Sequence, residues 1–133
     1  DLSPDHTPLE AGLGWAVKLK SDTDFLGKAA LQQQHRDGLK KLMACFTVQD
    51  PKINLIGRET LYRNGKRVGW LTSAGYGHTL DCNIGYGYVR NASGVDHDFL
   101  KNGEYTLEVA GIQVPCEIHL KPLYDPTMAR IRA

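Results

Sequence analysis

Apolar residues recur with two different periods along this chain. In Leu42-Met-Ala-Cys-Phe-Thr-Val48 they fall on every second position (Leu42, Ala44, Phe46, Val48), which predicts a strand with one buried face. Glu59–Arg63 and Lys66–Thr72 flank Asn64-Gly65. Asn-Gly between strand-like runs predicts a tight hairpin, because both residues tolerate positive φ. Ile84 to Arg90 reads as another strand, and its Gly85 and Gly87 leave one face bare for a close backbone approach or a barrel bend. The clearest alternation comes late. Tyr105, Leu107 and Val109 share one face, which continues after Ala110-Gly111 through Ile112, Val114, Cys116, Ile118 and Leu120. Gln113, Glu117 and His119 take the wet face.

Ahead of these strands the period is helical. Lys28-Ala-Ala-Leu-Gln-Gln-Gln34 are good helix formers, and the helix is expected from about Gly27 to Asp37. Gly38 stands where a left-handed cap would end it, after the basic Arg36. The first residues, with Pro4 and Pro8, read as a loop-rich lead-in. Within it, Trp15-Ala-Val-Lys-Leu19 alternates like a short strand. From Pro122 an extended tail is expected.

These elements predict a mainly β chain with one N-terminal helix. One buried face and one solvated face mark an antiparallel sheet. Roughly five or six short strands at this spacing favour a small barrel or sandwich. We expect a closed or nearly closed antiparallel barrel from about Lys40 to Leu120, with Leu42, Ala44, Phe46, Leu107, Val109, Val114 and Ile118 inside.

Composition changes this picture little. With 133 residues the chain can bury one core, and 41% hydrophobic with 23% charged residues describes an ordinary globular domain. The net charge of +1, from 16 basic and 15 acidic residues, makes no electrostatic footprint for nucleic acid. No apolar run is long enough for a membrane helix. Asp1-Leu-Ser-Pro-Asp-His6 is no signal peptide. The Asn91-Ala-Ser93 sequon carries little weight without a secretory context.

Candidate chemistry is sparse. Cys45, Cys82 and Cys116 lack a CxxC spacing and read as small buried hydrophobes in a reducing compartment, not as metal ligands. The five histidines lie far apart with no i, i+4 pair, so no metal is expected. Gly75-Tyr-Gly-His78 and Gly85-Tyr-Gly-Tyr88 lack the lysine of a phosphate loop and read as glycines that ease strand bends. Asp96-His97-Asp98 reads as a solvated turn. Glu10 stands apart, a carboxylate among Pro8, Leu9, Ala11, Gly12 and Leu13. Two readings are open. It accepts backbone N–H groups in a tight turn, or it recognises the N–H edge of a flat heterocycle through two parallel hydrogen bonds. Gly12 and Gly14 would let such a ring approach the backbone.

The run Asp5-His-Thr-Pro-Leu-Glu-Ala-Gly-Leu-Gly-Trp15, followed by Asp24-Phe-Leu-Gly-Lys-Ala-Ala-Leu31, resembles the end of the folate-binding domain of glycine-cleavage T-protein-like (aminomethyltransferase) modules. Gly65-Lys-Arg-Val-Gly69, Thr72-Ser-Ala-Gly75 and Gly85-Tyr-Gly-Tyr-Val89 resemble that family's C-terminal barrel domain. Val17–Ser21, Met43–Thr47, Asp98–Tyr105 and His119–Pro126 are most similar to the sarcosine and dimethylglycine dehydrogenase branch.

The resemblance implies that residues 1–38 end the folate-binding domain and 39–133 form the barrel domain. It also implies a piece of a longer protein, packed on upstream domains of its own parent chain. In that parent an N-terminal FAD domain oxidises an N-methyl amine, and the one-carbon unit passes to tetrahydrofolate. Glu10 matches the family's pterin-contacting glutamate. Arg36 matches a basic residue by the folate tail, with Lys40 the alternative. The family's catalytic aspartate would lie upstream of Asp1, so no catalytic residue is expected here and the fragment alone should be inactive. Two other parents fit the same residues: a free-standing aminomethyltransferase, and a non-catalytic regulatory or assembly module. The compartment implied is the mitochondrial matrix in a eukaryote and the cytoplasm in a bacterium.

Overall fold

The computed structural model describes residues 1–132. Six strands close into an antiparallel barrel: β1 (Lys41–Val48), β2 (Thr60–Arg63), β3 (Lys66–Gly77), β4 (Cys82–Arg90), β5 (Tyr105–Val109) and β6 (Ile112–His119). Around the barrel the order is β1-β4-β3-β2-β5-β6, and β6 pairs back onto β1. Closure removes the free edges that would otherwise template pairing with other chains. Asn64 and Gly65 turn the β2–β3 hairpin with φ of 50° and 77°, and Ala110 and Gly111 turn β5–β6 with 50° and 78°. Positive φ at both central residues matches the right-handed strand twist.

The interior is built from the inward face of each strand. Leu42, Ala44, Phe46 and Val48 of β1 meet Leu61, Leu71, Val89, Leu107 and Val114, all buried. Val109 and Ile118 pack against this core from its margin. Gly87 is required by proximity. A Cβ there would lie 2.5 Å from the Trp70 carbonyl oxygen, where β3 carries a bulge between Leu71 and Ser73. Bulges bend a strand and increase its twist, as a small barrel demands.

α1 (Lys28–Asp37) forms where expected and ends at Gly38, φ 81°. Gly38 is extended in ψ (159°), so the cap is not a left-handed helical one. Four other expectations need correction. Trp15–Leu19 is not a strand: a 3-10 turn, Gly14–Ala16, is followed by bends. Among the described residues no strand pairs with it, and an unpaired strand leaves its backbone groups without partners. Asp96 is a helix cap, its carboxylate accepting the Phe99 N–H at 2.7 Å. The helix it starts, α2 (His97–Lys101), sends Leu100 into the core. A three-residue polar pattern could not show that buried anchor. Ile112 is exposed, because the β5–β6 hairpin carries it past the end of the core. The tail is turned, not extended, with Asp125 accepting N–H groups of Ala129 and Arg130.

Candidate functional site

Glu10 sits in a helical turn that Thr7 begins. The Thr7 hydroxyl accepts the Glu10 N–H at 3.2 Å, and Glu10 Oε2 accepts the Thr7 N–H at 3.0 Å, a reciprocal capping box. Pro8 takes the first position of the turn, where a missing N–H costs nothing. Two further partners come from outside the turn. Gln34 of α1 donates to Oε1 at 3.1 Å, and Lys41 of β1 brings its ammonium to 3.5 Å from Oε2. The Glu10 carbonyl also accepts the Met43 N–H at 2.9 Å. At 9% exposure this charge would be costly alone, and its partners offset that cost. Of the two sequence readings, the backbone acceptor in a tight turn is present in this geometry.

A cluster of rings and cations surrounds the turn. His6 stacks on Tyr88 with centroids 4.0 Å apart and 13° between planes. The Arg90 guanidinium lies 4.0 Å from the Trp70 ring centroid. Lys41 donates to the Asp5 carbonyl at 2.7 Å. Burial, followed by the Lys41 charge, lowers the His6 pKa from its ordinary value, with Arg90 adding to this and Glu10 and Asp5 opposing it. The His6 and Lys41 contacts fasten residues 5–10 to β1 and β4.

Arg36 is elsewhere. It is exposed on α1, donates to Gln33 Oε1 at 2.7 Å, and lines a groove of about 780 Å³ with Trp15, Val17, Lys18, Lys20 and Gln32. A second groove, about 690 Å³, lies against Trp15 from the side of Leu42, Val95, Asp96 and Asp98. Glu10 lines neither groove, so neither one brings the two expected folate residues together. Lys40, the alternative to Arg36, donates instead to the Ala92 carbonyl at 2.8 Å. Sequence reasoning did not single out Lys18 and Lys20. Their signal was the alternation of Val17-Lys-Leu-Lys20, in which both lysines are exposed beside half-buried Val17 and Leu19. With Arg36 they give the groove a cationic rim suited to carboxylates.

None of the three cysteines is an activated nucleophile. Burial raises the Cys45 and Cys82 thiols above their ordinary pKa and pushes Cys116 up to about 12. A thiol held protonated in this way is a poor nucleophile. Among the described residues no three His, Cys, Asp or Glu side chains gather as metal ligands, and no helix is long and apolar enough to cross a membrane.

Comparison with known proteins agrees with the barrel. Residues 40–125 match the glycine cleavage T-protein C-terminal barrel domain. The chain is 44% identical over 134 residues to human mitochondrial sarcosine dehydrogenase, covering 99% of this chain and 14% of that protein. It is 37% identical to the mouse mitochondrial pyruvate dehydrogenase phosphatase regulatory subunit, over 92% of this chain and 15% of that one. The crystal structure of the glycine cleavage system aminomethyltransferase T from Bartonella henselae superposes with a TM-score of 0.75 at 28% identity, covering 95% of this chain and 34% of that one. The chain thus spans about a seventh of the length of the two curated relatives. By its sequence and its closed barrel, it belongs to the family of the glycine cleavage T-protein C-terminal barrel domain.

Proposed function

We propose that this chain is the C-terminal part of a folate-dependent one-carbon enzyme of the sarcosine and dimethylglycine dehydrogenase kind. In the parent, an FAD domain upstream oxidises an N-methyl amine and the folate module passes the one-carbon unit on. The observation that carries this reading is the 44% identity to sarcosine dehydrogenase along 99% of the chain. We place the parent in the mitochondrial matrix if eukaryotic and in the cytoplasm if bacterial, with residues 1–38 completing the folate-binding domain and 39–133 forming the barrel.

Tetrahydrofolate, when bound, accepts the one-carbon unit. The duties that fall to this chain are binding and orientation. The cationic rim of Lys18, Lys20 and Arg36 fits an anionic glutamyl tail. Glu10 fits a pterin edge less fully: a carboxylate has about four acceptor positions, and Thr7, Gln34 and Lys41 occupy three of them. One hydrogen bond can be added at Oε1 as the turn stands, and a bidentate pair requires Lys41 or Thr7 to leave Oε2. No residue here is assigned to FAD or to catalysis, so the chain alone should neither oxidise sarcosine nor transfer methylene groups.

The test is made on the intact parent. We expect bound flavin, dye reduction with sarcosine or dimethylglycine, and saturable tetrahydrofolate binding. Arg36→Ala should weaken folate by roughly tenfold, and Glu10→Gln by roughly ten- to a hundredfold. Unchanged folate affinity in Glu10→Gln would remove that residue from the site. A parent that lacks flavin but binds folate and transfers a methylene group would instead be an aminomethyltransferase, the reading that the Bartonella structure favours. One that binds neither ligand would match the regulatory reading, which the phosphatase subunit supports.

A further inference from the structure

We propose that in the intact parent Trp15–Lys20 opens from its turns into an edge strand whose partner is a β-strand of the upstream folate-binding domain. This rests on the reading that such a domain precedes the chain in its parent. Three observations converge on it. The first is the alternation itself, which has the strand period and yet forms no strand here. The second is what the segment does instead. Val17 is already extended, φ −96° and ψ 122°. Val17 and Leu19 are half-buried on the groove beside Gln32 and Arg36 of α1, while Lys18 and Lys20 stand exposed at its rim. The apolar side of the segment is therefore already seated, although local turns still hold its backbone.

The third observation concerns the backbone. The Val17 N–H reaches the Gly14 carbonyl at 3.2 Å and the Leu19 N–H reaches Val17 at 2.9 Å, both local bonds. Among the described residues, nothing accepts from the N–H of Lys18 or Lys20. In a strand these alternate amides point to one edge, so the open donors form one coherent row. At the head of the segment Trp15 is 82% exposed, far more than a lone surface tryptophan needs. A sheet that continued past this edge would satisfy the amides and cover the ring together. The relatives supply the length for it, since each has about six-sevenths of its chain outside the match.

Amide hydrogen exchange, read residue by residue in this chain and in the intact parent, tests the assignment. In the chain alone Lys18 and Lys20 should exchange quickly. In the parent they should slow by roughly a hundredfold or more, ahead of their neighbours, because pairing protects alternate amides. Lys18→Pro in the parent should abolish protection at Lys20 while barrel amides keep theirs. Uniform slowing of residues 15–20, or none, would overturn the strand. Protection that appears in the chain alone as its concentration rises would overturn the upstream partner in favour of a second copy. None of these readouts uses turnover, so loss of the enzymatic reading and loss of this one can be told apart.

Discussion

The barrel and the lead-in before it are built on opposite terms. In residues 41–119 six strands close on a common core, and Phe46, Leu61, Leu71 and Leu107 are wholly buried. In residues 1–38 only Leu9, Glu10 and Ala11 are buried, and neither α1 nor the 3-10 turn buries any residue. The barrel pairs its own strands and encloses a common core. The lead-in keeps its one charged clasp at Glu10 and leaves Trp15 and Leu26 in water. A helix with no buried residue gains little from packing, and isolated helices of this length are marginal. The contrast teaches that the barrel is held by a core of its own, while the lead-in is held mainly by polar contacts with the barrel.

If that contrast holds, substitutions in the two regions should differ sharply. Leu107→Ala opens a cavity between β2 and β6 and should cost about 2–5 kcal/mol, whereas Trp15→Ala should change the stability of this chain by less than about 0.5 kcal/mol. Chemical denaturation of the pair checks this, and equal losses would break the comparison. Glu10→Gln probes the charged part of the joint between the regions, leaving the His6–Tyr88 stack in place. It removes charge-assisted bonds to Thr7 and Lys41 and should lower stability by about 1.5–3 kcal/mol. A melting temperature equal to the parent sequence's would mean that the clasp holds nothing.

Gly87→Ala tests the barrel's closest approach. The new methyl meets the Trp70 carbonyl, which cannot yield without moving β3, so a loss of about 1–3 kcal/mol is expected. The smallest effect is expected at His6. Its folded pKa is lowered from 6.5, so folding favours the neutral ring. The contribution is complete above the unfolded pKa, declines as pH falls below about 6.5, and levels off beneath the folded value. Melting scans of His6→Phe, which keeps the stack on Tyr88 but cannot titrate, should show a flatter acid limb.

Most of the barrel was legible because its signals are local. Period two marks each inward face, and Asn64-Gly65 sets one register without reference to anything distant. The candidate site was less legible. Glu10 stood out as a charge among apolar neighbours, but Gln34 and Lys41 lie 24 and 31 positions away, and no spacing rule connects them. Arg36 was visible as a basic residue near a helix end. That it shares a groove with Lys18 and Lys20 depends on how α1 folds back over the lead-in.

By itself the sequence determined most of the strand faces, the Asn64-Gly65 turn and the helix over residues 28–37. All of these follow from dihedral preference and side-chain alternation within about ten residues. Tertiary structure decided the rest. It chose a closed barrel over a sandwich by pairing β6 with β1, and it made Asp96 a cap because Leu100 had a core to enter. It left Trp15–Leu19 as a turn although the pattern favours a strand. The physical reason is shared: alternation states which face of a segment is apolar, but a strand exists only where a neighbouring strand takes its hydrogen bonds.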